Sequence, residues 1–371
     1  MKKYIEVYED IKKNIVNQAY KYKSKLPSKR VMASNYGVSV ITIEHAYELL
    51  CDEGYVKAIE KSGYYVLYKS GDYFSGDTYQ SSDKYEDAYS DEKDATSLDD
   101  DINDIFKDTK PLSIDVYAKT ARKVLSMNEN EIYDKSPSFG NMRLRKAISA
   151  YLKRSRNIQV TPDRIVIGAG SEYLYKMIVS VLGIDKTYGI ETPGYRRIKE
   201  VYESNFAKTE FLHLTSDGID SKDLWNTKAD VLHVTPFRSY PTGVTASAGK
   251  KREYIKWSID KNGIIIEDDF ESEYTTSRRA VDTIFSMDQN DKVIYVNTFS
   301  RTISPSVRTA YMLIPKSMKK MFEEKIGLYS CPVPTLEQLI VASLIENGDF
   351  ERHINRVRRN LRLKNEKNTK K

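Results

Sequence analysis

The sequence is poor in the residues that build disulfide scaffolds and metal centres. It has only two cysteines, Cys51 and Cys331, and only four histidines among 371 residues. Two cysteines so far apart argue against a disulfide framework or a cysteine-built metal site and are typical of a reducing compartment. The histidines are scattered, without the spacing of metal ligands.

Long apolar runs are also missing. No stretch approaches the roughly 20 consecutive apolar residues of a membrane-spanning helix. The N-terminus reaches an acid at Glu6 without an apolar segment before it, which argues against a secretory signal. We therefore predict a cytoplasmic protein without membrane contact. With 40% hydrophobic and 30% charged residues, the composition is that of a globular protein.

Charge is distributed in blocks rather than evenly. Residues 1–69 carry a net charge of +4, whereas residues 71–104 carry twelve acids against two lysines, a net charge of −10. The acidic block has almost no aliphatic residues and cannot bury enough apolar surface to offset its ordering entropy. We predict a flexible linker over residues 69–104 between two domains, 1–68 and 105–371.

The first domain has the pattern of three helices followed by a hairpin. Ser28 is a good N-cap for a helix over 29–35 that ends at Gly37, and Ser39 caps a helix over 40–52. The other expected features are a helix over 4–19, strands over 55–59 and 64–67, and a buried helix face of Ile43, Ala46, Tyr47 and Leu50.

This layout predicts a winged helix-turn-helix, whose second helix enters the major groove of double-stranded DNA while the wing touches phosphate. The motifs Leu26-Pro27-Ser28-Lys29-Arg30, Tyr36-Gly37-Val38-Ser39 and Glu53-Gly54-Tyr55 resemble the GntR family of bacterial regulators. The resemblance implies a DNA-binding surface made of Lys29, Arg30, Ser39, Val40, Ile41, Thr42, Lys61 and Gly63.

One position departs from the GntR pattern. The family usually has an arginine after the capping serine, but here Val40 and Ile41 follow Ser39. The loss removes a contact worth roughly 1–3 kcal/mol, and an apolar side chain at this place could instead meet a thymine methyl group. A basic helical domain used for protein contacts alone is the alternative interpretation.

The second domain alternates strands and helices. The expected strands are 164–168, 187–191, 230–235, 263–267 and 293–296, and the expected helices include 171–182 and 194–203. This order predicts a mainly parallel, three-layer α/β domain with helices on both faces of its sheet. Such sheets bind ligands at the carboxyl ends of their strands.

The second domain carries six motifs in order: Ser138-Phe139-Gly140 with Leu144-Arg145, Gly168–Glu172, Glu191–Tyr195, Thr235-Pro236 with Pro241-Thr242-Gly243, Glu267–Phe270 with Glu273, and Thr298–Arg301 with Pro305 and Arg308. Together these motifs resemble fold-type I aminotransferases, which use pyridoxal phosphate. Together with the GntR-like first domain, these six motifs resemble the MocR subfamily of chimeric regulators. The family continues into a C-terminal small subdomain, so the resemblance implies a body that lacks this part.

The resemblance also implies a cofactor site. Its expected residues are Ser171, Glu172, Tyr195, Asp268, Phe270, Ser300, Arg301 and Arg308. In the family, the aspartate faces the pyridine nitrogen, the tyrosine stacks on the ring, and the serines and final arginine anchor the phosphate. The chemistry further requires a lysine amine that forms an imine with the cofactor aldehyde.

Three positions oppose that chemistry. Arg301 stands in the place of the lysine, and a guanidinium stays protonated, so it offers no free amine. Phe270 replaces the tyrosine whose hydroxyl bonds the ring oxygen. Glu172 replaces a glutamine beside the phosphate, where its carboxylate would repel the dianion. The sequence therefore predicts that covalent attachment of pyridoxal phosphate is lost.

We accordingly expect a homodimeric transcription regulator, not an enzyme, whose body serves as a dimerisation and effector scaffold. The alternative is a protein that still binds pyridoxal phosphate, through an unexpected lysine, or another anionic metabolite. Arg301 is expected either to hold a small anionic effector together with Arg308, or to pair with Asp268 or Glu172 and fill the site itself.

Overall fold

The structure is a computed structural model that describes residues 3–59, 62–68, 110–127, 129–275 and 282–369. The chain divides into two units, Met1–Asp94 and Ala95–Lys371, which are the head and the body below. The acidic segment 71–104 and Lys61 lie outside the described residues. None of the described helices combines the length and apolar character needed to cross a membrane.

The described part of the head contains three helices and a two-stranded antiparallel hairpin. They are α1 (Lys3–Val16), α2 (Lys29–Tyr36), α3 (Val40–Asp52), β1 (Val56–Ile59) and β2 (Gly63–Val66). The side chain of Ser28 caps α2, and Gly37 ends that helix with a φ of 62°. The predicted buried face of α3 is confirmed, because Ile43, Ala46, Tyr47 and Leu50 are all fully buried.

The segment before α2, residues 24–26, forms backbone hydrogen bonds with the second strand of the hairpin. The backbone N–H of Leu26 donates to Tyr64 O at 2.8 Å, and the N–H of Val66 donates to Ser24 O at 2.9 Å. The hydroxyl of Tyr47 on α3 donates to Pro27 O at 2.8 Å. The entry to α2 is therefore fixed against both the hairpin and α3.

The body contains an eight-stranded sheet flanked by helices. Its helices are α4 (Ile114–Met127), α5 (Glu129–Tyr133), α6 (Met142–Arg156), α7 (Ser171–Leu182), α8 (Arg196–Ser204), α9 (Ser221–Asn226), α10 (Ala248–Asp260), α11 (Ile284–Met287), α12 (Lys319–Ile326), α13 (Thr335–Glu346) and α14 (Asp349–Thr369). Its strands are β3 (Ile165–Gly168), β4 (Thr187–Thr192), β5 (Lys208–Thr215), β6 (Gly218–Ile219), β7 (Val231–Val234), β8 (Ile264–Asp268), β9 (Val293–Thr298) and β10 (Ala310–Leu313).

The strand order is β3-β10-β9-β8-β7-β4-β5-β6. The run from β9 to β5 is parallel, whereas β10 is antiparallel to both of its neighbours and β6 is antiparallel to β5. The sheet is thus mainly parallel, as predicted. The strands β5, β6 and β10 were not among the expected elements.

Successive strand residues point to opposite faces of this sheet, which divides the core. In β3, Ile165 and Ile167 pack with α6 and α13 on one face, whereas Val166 packs with α7, α8 and α12 on the other. The helix α13 is apolar nearly all round, with nine of its twelve residues buried. The carboxyl ends of β4, β7, β8 and β9 therefore meet at one edge between helical layers.

Candidate functional site

The first turn of α3 forms the exposed tip of the head. Val40 is 41% exposed and Ile41 is 64% exposed, so two adjacent aliphatic side chains lie at the surface. The Ser39 hydroxyl accepts a hydrogen bond from the Thr42 N–H at 3.1 Å and lies 2.9 Å from its hydroxyl. This capping fixes the start of the helix and leaves the two aliphatic side chains facing solvent.

The basic residues predicted for DNA contact differ in their surroundings. Arg30 is exposed at the start of α2. Lys29 is instead half-buried and forms an ion pair with Glu44 of α3. Gly63 begins the second strand of the hairpin with a φ of 125°, a conformation that favours glycine. The lysine therefore ties α2 to α3, whereas the arginine remains available at the surface.

The body contains a cavity of about 210 Å³ at the carboxyl ends of the parallel strands. All eight cofactor-site residues named from the sequence line it. They come from the start of α7, the turn before α8, the end of β8 and the loop after β9: Ser171, Glu172, Tyr195, Asp268, Phe270, Ser300, Arg301 and Arg308. The fold thus brings together residues that are up to 137 positions apart in the sequence.

Asp268 lies at the buried end of the cavity. Its Oδ2 accepts a hydrogen bond from the Tyr175 hydroxyl at 2.5 Å and lies 3.6 Å from His233 Nε2. The other ring nitrogen of His233 lies 2.6 Å from the Tyr202 hydroxyl. Burial and the neighbouring carboxylate raise the pKa of Tyr175 well above its ordinary value, so its hydroxyl stays protonated and donates.

The sequence analysis did not identify Tyr175 or His233 as site residues, although the sequence position of each gives an indication. Tyr175 is four residues after Ser171 and therefore lies on the same face of α7. His233 lies in β7, whose neighbour β8 ends in Asp268. Neither belonged to a motif with recognised chemistry.

Arg301 forms an ion pair with a residue that the sequence did not indicate. Its Nη2 lies 2.5 Å from Glu271 Oε1, and its side chain is only 4% exposed. The guanidinium also lies over the Tyr274 ring at 5.5 Å, and Arg238 approaches the second oxygen of Glu271 at 3.5 Å. The expected pairing of Arg301 with Asp268 or Glu172 is therefore wrong, because the turn after β8 presents Glu271 to it.

Internal ion pairs and hydrogen bonds also occupy the opposite end of the cavity. Arg308 Nη2 lies 2.7 Å from one oxygen of Glu172, and Arg197 Nη1 lies 3.7 Å from the other. The Ser300 hydroxyl donates to Val307 O at 2.7 Å. Two of the three anchors expected for a phosphate, Ser300 and Arg308, are thus engaged with the protein's own groups.

The close approach of Arg308 depends on a glycine. Gly170 has a φ of 97°, and a Cβ at this position would lie 2.4 Å from Arg308 Nη2. A larger residue would therefore displace the arginine and strain the backbone. The turn between β3 and α7 is consequently shaped to receive the guanidinium beside Glu172.

Comparison with known families covers both units. Residues 3–66 match bacterial regulatory proteins of the gntR family, and residues 101–368 match aminotransferase class I and II. The chain belongs to the aminotransferase class I and II family. With the gntR-family domain ahead of it, the aminotransferase-like body has the domain order of the MocR subfamily, so the predicted family resemblance is confirmed.

Individual relatives align with nearly the whole of this chain. The chain is 29% identical over 361 residues to the uncharacterized HTH-type transcriptional regulator YdeL of Bacillus subtilis, covering 97% of this chain and 77% of that protein. It is 25% identical to the probable rhizopine catabolism regulatory protein MocR of Rhizobium meliloti, covering 95% and 74%.

Solved structures confirm the predicted fold class of the body. The kynurenine aminotransferase of Pyrococcus horikoshii superposes with a TM-score of 0.61 at 18% identity, covering 72% of each chain. An archaeal alanine:glyoxylate aminotransferase gives a TM-score of 0.60 at 20% identity, covering 70% of this chain and 69% of that one. At this identity, the likeness concerns the fold alone.

Proposed function

We propose that this chain is a DNA-binding transcription regulator whose aminotransferase-like body acts as a dimerisation and effector scaffold. The gntR-family match over residues 3–66 carries the proposal, and regulator names among the relatives support it. The exposed first turn of α3 and the exposed Arg30 supply the kind of surface that DNA contact requires.

The DNA part of the proposal is tested with the full chain and duplexes selected from a random pool. Binding should weaken steeply as salt rises, since phosphate contacts release counterions. Arg30→Ala should weaken binding and reduce the slope of log K against log salt by about one. Lys320→Ala, which removes the same charge from an exposed site in the body, is the matched control. Equal DNA affinity for both variants would contradict the assigned surface.

We further propose that the body does not attach pyridoxal phosphate covalently. Arg301 offers a charged guanidinium committed to Glu271, and no lysine lines the cavity among the residues that the structure describes. At the phosphate end, the Glu172 carboxylate holds Arg308 and would oppose a dianion. The residues present therefore do not fit the cofactor.

Borohydride reduction tests this second part. After incubation with pyridoxal phosphate, reduction and digestion, the mass of every lysine peptide should be unchanged. A visible absorption band that reduction removes, with a cofactor-labelled lysine in the mass spectrum, would support the alternative of a pyridoxal-phosphate-binding protein and overturn the proposal.

Dimerisation is supported by exposed apolar side chains on the first two helices of the body. Ile114, Leu125, Met127 and Tyr133 are between 50% and 84% exposed. We propose that these side chains contribute to an association surface. Light scattering of the full chain should therefore give twice the mass of one chain, and a monomer at micromolar concentration would contradict this part. A dimer would present two heads to two half-sites, with residues 69–104 proposed as the linker.

A further inference from the structure

We infer that the cavity of the body is a binding site for an unphosphorylated aromatic amine, with Asp268 receiving the ammonium group. The inference rests on the proposed effector role of the body and names the class of ligand. It departs from an anionic effector, because the two arginines that suggested one are both engaged by carboxylates of the protein.

The first argument is the pairing of the charged groups that line the cavity. Arg301 pairs with Glu271, which also lies 3.5 Å from Arg238, and Arg308 pairs with Glu172, which also lies 3.7 Å from Arg197. Within the described residues, the ion-pair partner of Asp268 is His233 Nε2, at 3.6 Å rather than at hydrogen-bonding distance. The buried carboxylate of Asp268 is thus paired with neither Arg301 nor Arg308.

The second argument is the remaining hydrogen-bonding capacity of Asp268. Among the residues that the structure describes, the side-chain donor within hydrogen-bonding distance is the Tyr175 hydroxyl, which bonds Oδ2 at 2.5 Å. A carboxylate has about four acceptor positions, so further donors are needed to satisfy it where water is scarce. The side chain is 7% exposed, and a ligand N–H in the cavity supplies such a donor.

The third argument is the lining of the cavity. Tyr195 and Tyr240 meet edge to face with their ring centres 6.2 Å apart, and Phe270 lines the same space. Aromatic walls favour a flat ring by stacking and attract a cation by their ring faces. An aromatic amine satisfies both the walls and the carboxylate.

The fourth argument explains why a phosphate ester is excluded. The carboxylate of Glu172 already holds Arg308 at 2.7 Å and stands 3.7 Å from Arg197. The Ser300 hydroxyl is committed to Val307 O. A phosphate would have to displace Glu172 from its arginines and remain beside it. The carboxylate of Glu172 therefore takes the place of a bound anion at this end of the cavity.

The test uses the full chain and three probes that share one ring: benzylamine, benzyl alcohol and phenyl phosphate. Calorimetry should show wild-type binding of benzylamine, binding of benzyl alcohol at least about tenfold weaker, and none of phenyl phosphate. Asp268→Asn keeps the shape and an acceptor for Tyr175. It should weaken benzylamine about tenfold to a hundredfold and weaken the uncharged benzyl alcohol much less.

A gain of binding provides the second arm. Glu172→Gln should release Arg308 and create binding of phenyl phosphate that the wild-type chain lacks. Glu200→Gln removes a carboxylate from an exposed pair with Arg196 on α8 and should change the binding of neither phenyl phosphate nor benzylamine. Circular dichroism establishes that each variant is folded, and the phosphate arm does not depend on Asp268→Asn.

Three results would overturn the inference: no benzylamine binding to the folded wild-type chain, unchanged benzylamine affinity in folded Asp268→Asn, or tighter wild-type binding of phenyl phosphate than of benzylamine. Failure here is distinguishable from failure of the proposed function. A chain that binds DNA and remains unlabelled by pyridoxal phosphate, but ignores benzylamine, refutes only the ligand class.

Discussion

The two arginine–carboxylate pairs of the cavity differ in burial, and this difference predicts unequal costs of breaking them. In the Arg301–Glu271 pair the side chains are 4% and 12% exposed, whereas in the Arg308–Glu172 pair they are 53% and 27% exposed. Removing one partner of a buried pair leaves an uncompensated charge and costs about 3–5 kcal/mol. Exposed pairs contribute roughly 0.2–1 kcal/mol.

We therefore expect Glu271→Gln to lower the free energy of unfolding of the body by about 3 kcal/mol, the lower end of that range, because glutamine still accepts one hydrogen bond from Arg301. Glu172→Gln should lower it by no more than about 1 kcal/mol. The difference of about 2 kcal/mol corresponds to roughly thirtyfold in the folding equilibrium.

Urea unfolding followed by tryptophan fluorescence measures these costs. The chain has two tryptophans, Trp225 and Trp257, and both belong to the body, so the signal is not mixed with unfolding of the head. Equal slopes of free energy against urea would show that the variants alter stability and not the surface exposed on unfolding. A Glu271→Gln cost as small as that of Glu172→Gln would refute the assignment of a buried, structurally required pair.

Three further predictions concern the head, the cofactor and pH. Ile41→Ala should remove any preference for thymine over uracil in the bound duplex, because only thymine has the methyl group; competition between matched duplexes measures this, and equal wild-type affinity for both would contradict the contact. Arg301→Lys combined with Glu172→Gln should restore an amine and free the phosphate anchor, so that borohydride fixes the cofactor mass on residue 301; an unlabelled double variant would show that other positions block attachment. Burial raises the pKa of Glu191 from its ordinary value of 4.5 to about 8. Between these two pH values the folded chain keeps a proton on Glu191 that the unfolded chain has released. The free energy of unfolding of the wild-type chain therefore falls as pH rises from about 4.5 to about 8. Glu191→Gln should accordingly stabilise the body more near pH 9 than near pH 5 in urea unfolding, and an equal effect at both would refute the raised pKa.

Local signals predicted the elements of the fold well where caps were present. The helix predicted over 40–52 is α3 as observed, since Ser39 caps it and Gly54 follows it closely. The helix predicted over 171–182 is α7, bounded by Gly170 and Gly183 with φ values of 97° and 105°. Capping residues act through bonds to their near neighbours, so a single sequence is sufficient to read them.

The position of the site could be predicted from the order of strands in the sequence, but the ion pairs within the site could not. Parallel strands deliver their carboxyl ends to one edge, which is why the eight predicted residues share a cavity. The partner of Arg301 depends instead on how the turn after β8 directs Glu271, three residues beyond Asp268. Side-chain directions in an irregular turn have no sequence period, so motif matching named the wrong carboxylates.

Glu172 and Glu271 give the aminotransferase-like body a set of counter-ions encoded in its own sequence. In this body Arg301 and Arg308 already meet carboxylates of the same chain. On the proposal that the body does not attach pyridoxal phosphate, its fold needs no supplied cofactor. Protein purified from cultures starved of vitamin B6, the nutritional source of pyridoxal phosphate, should therefore melt at the same temperature as protein from supplied cultures.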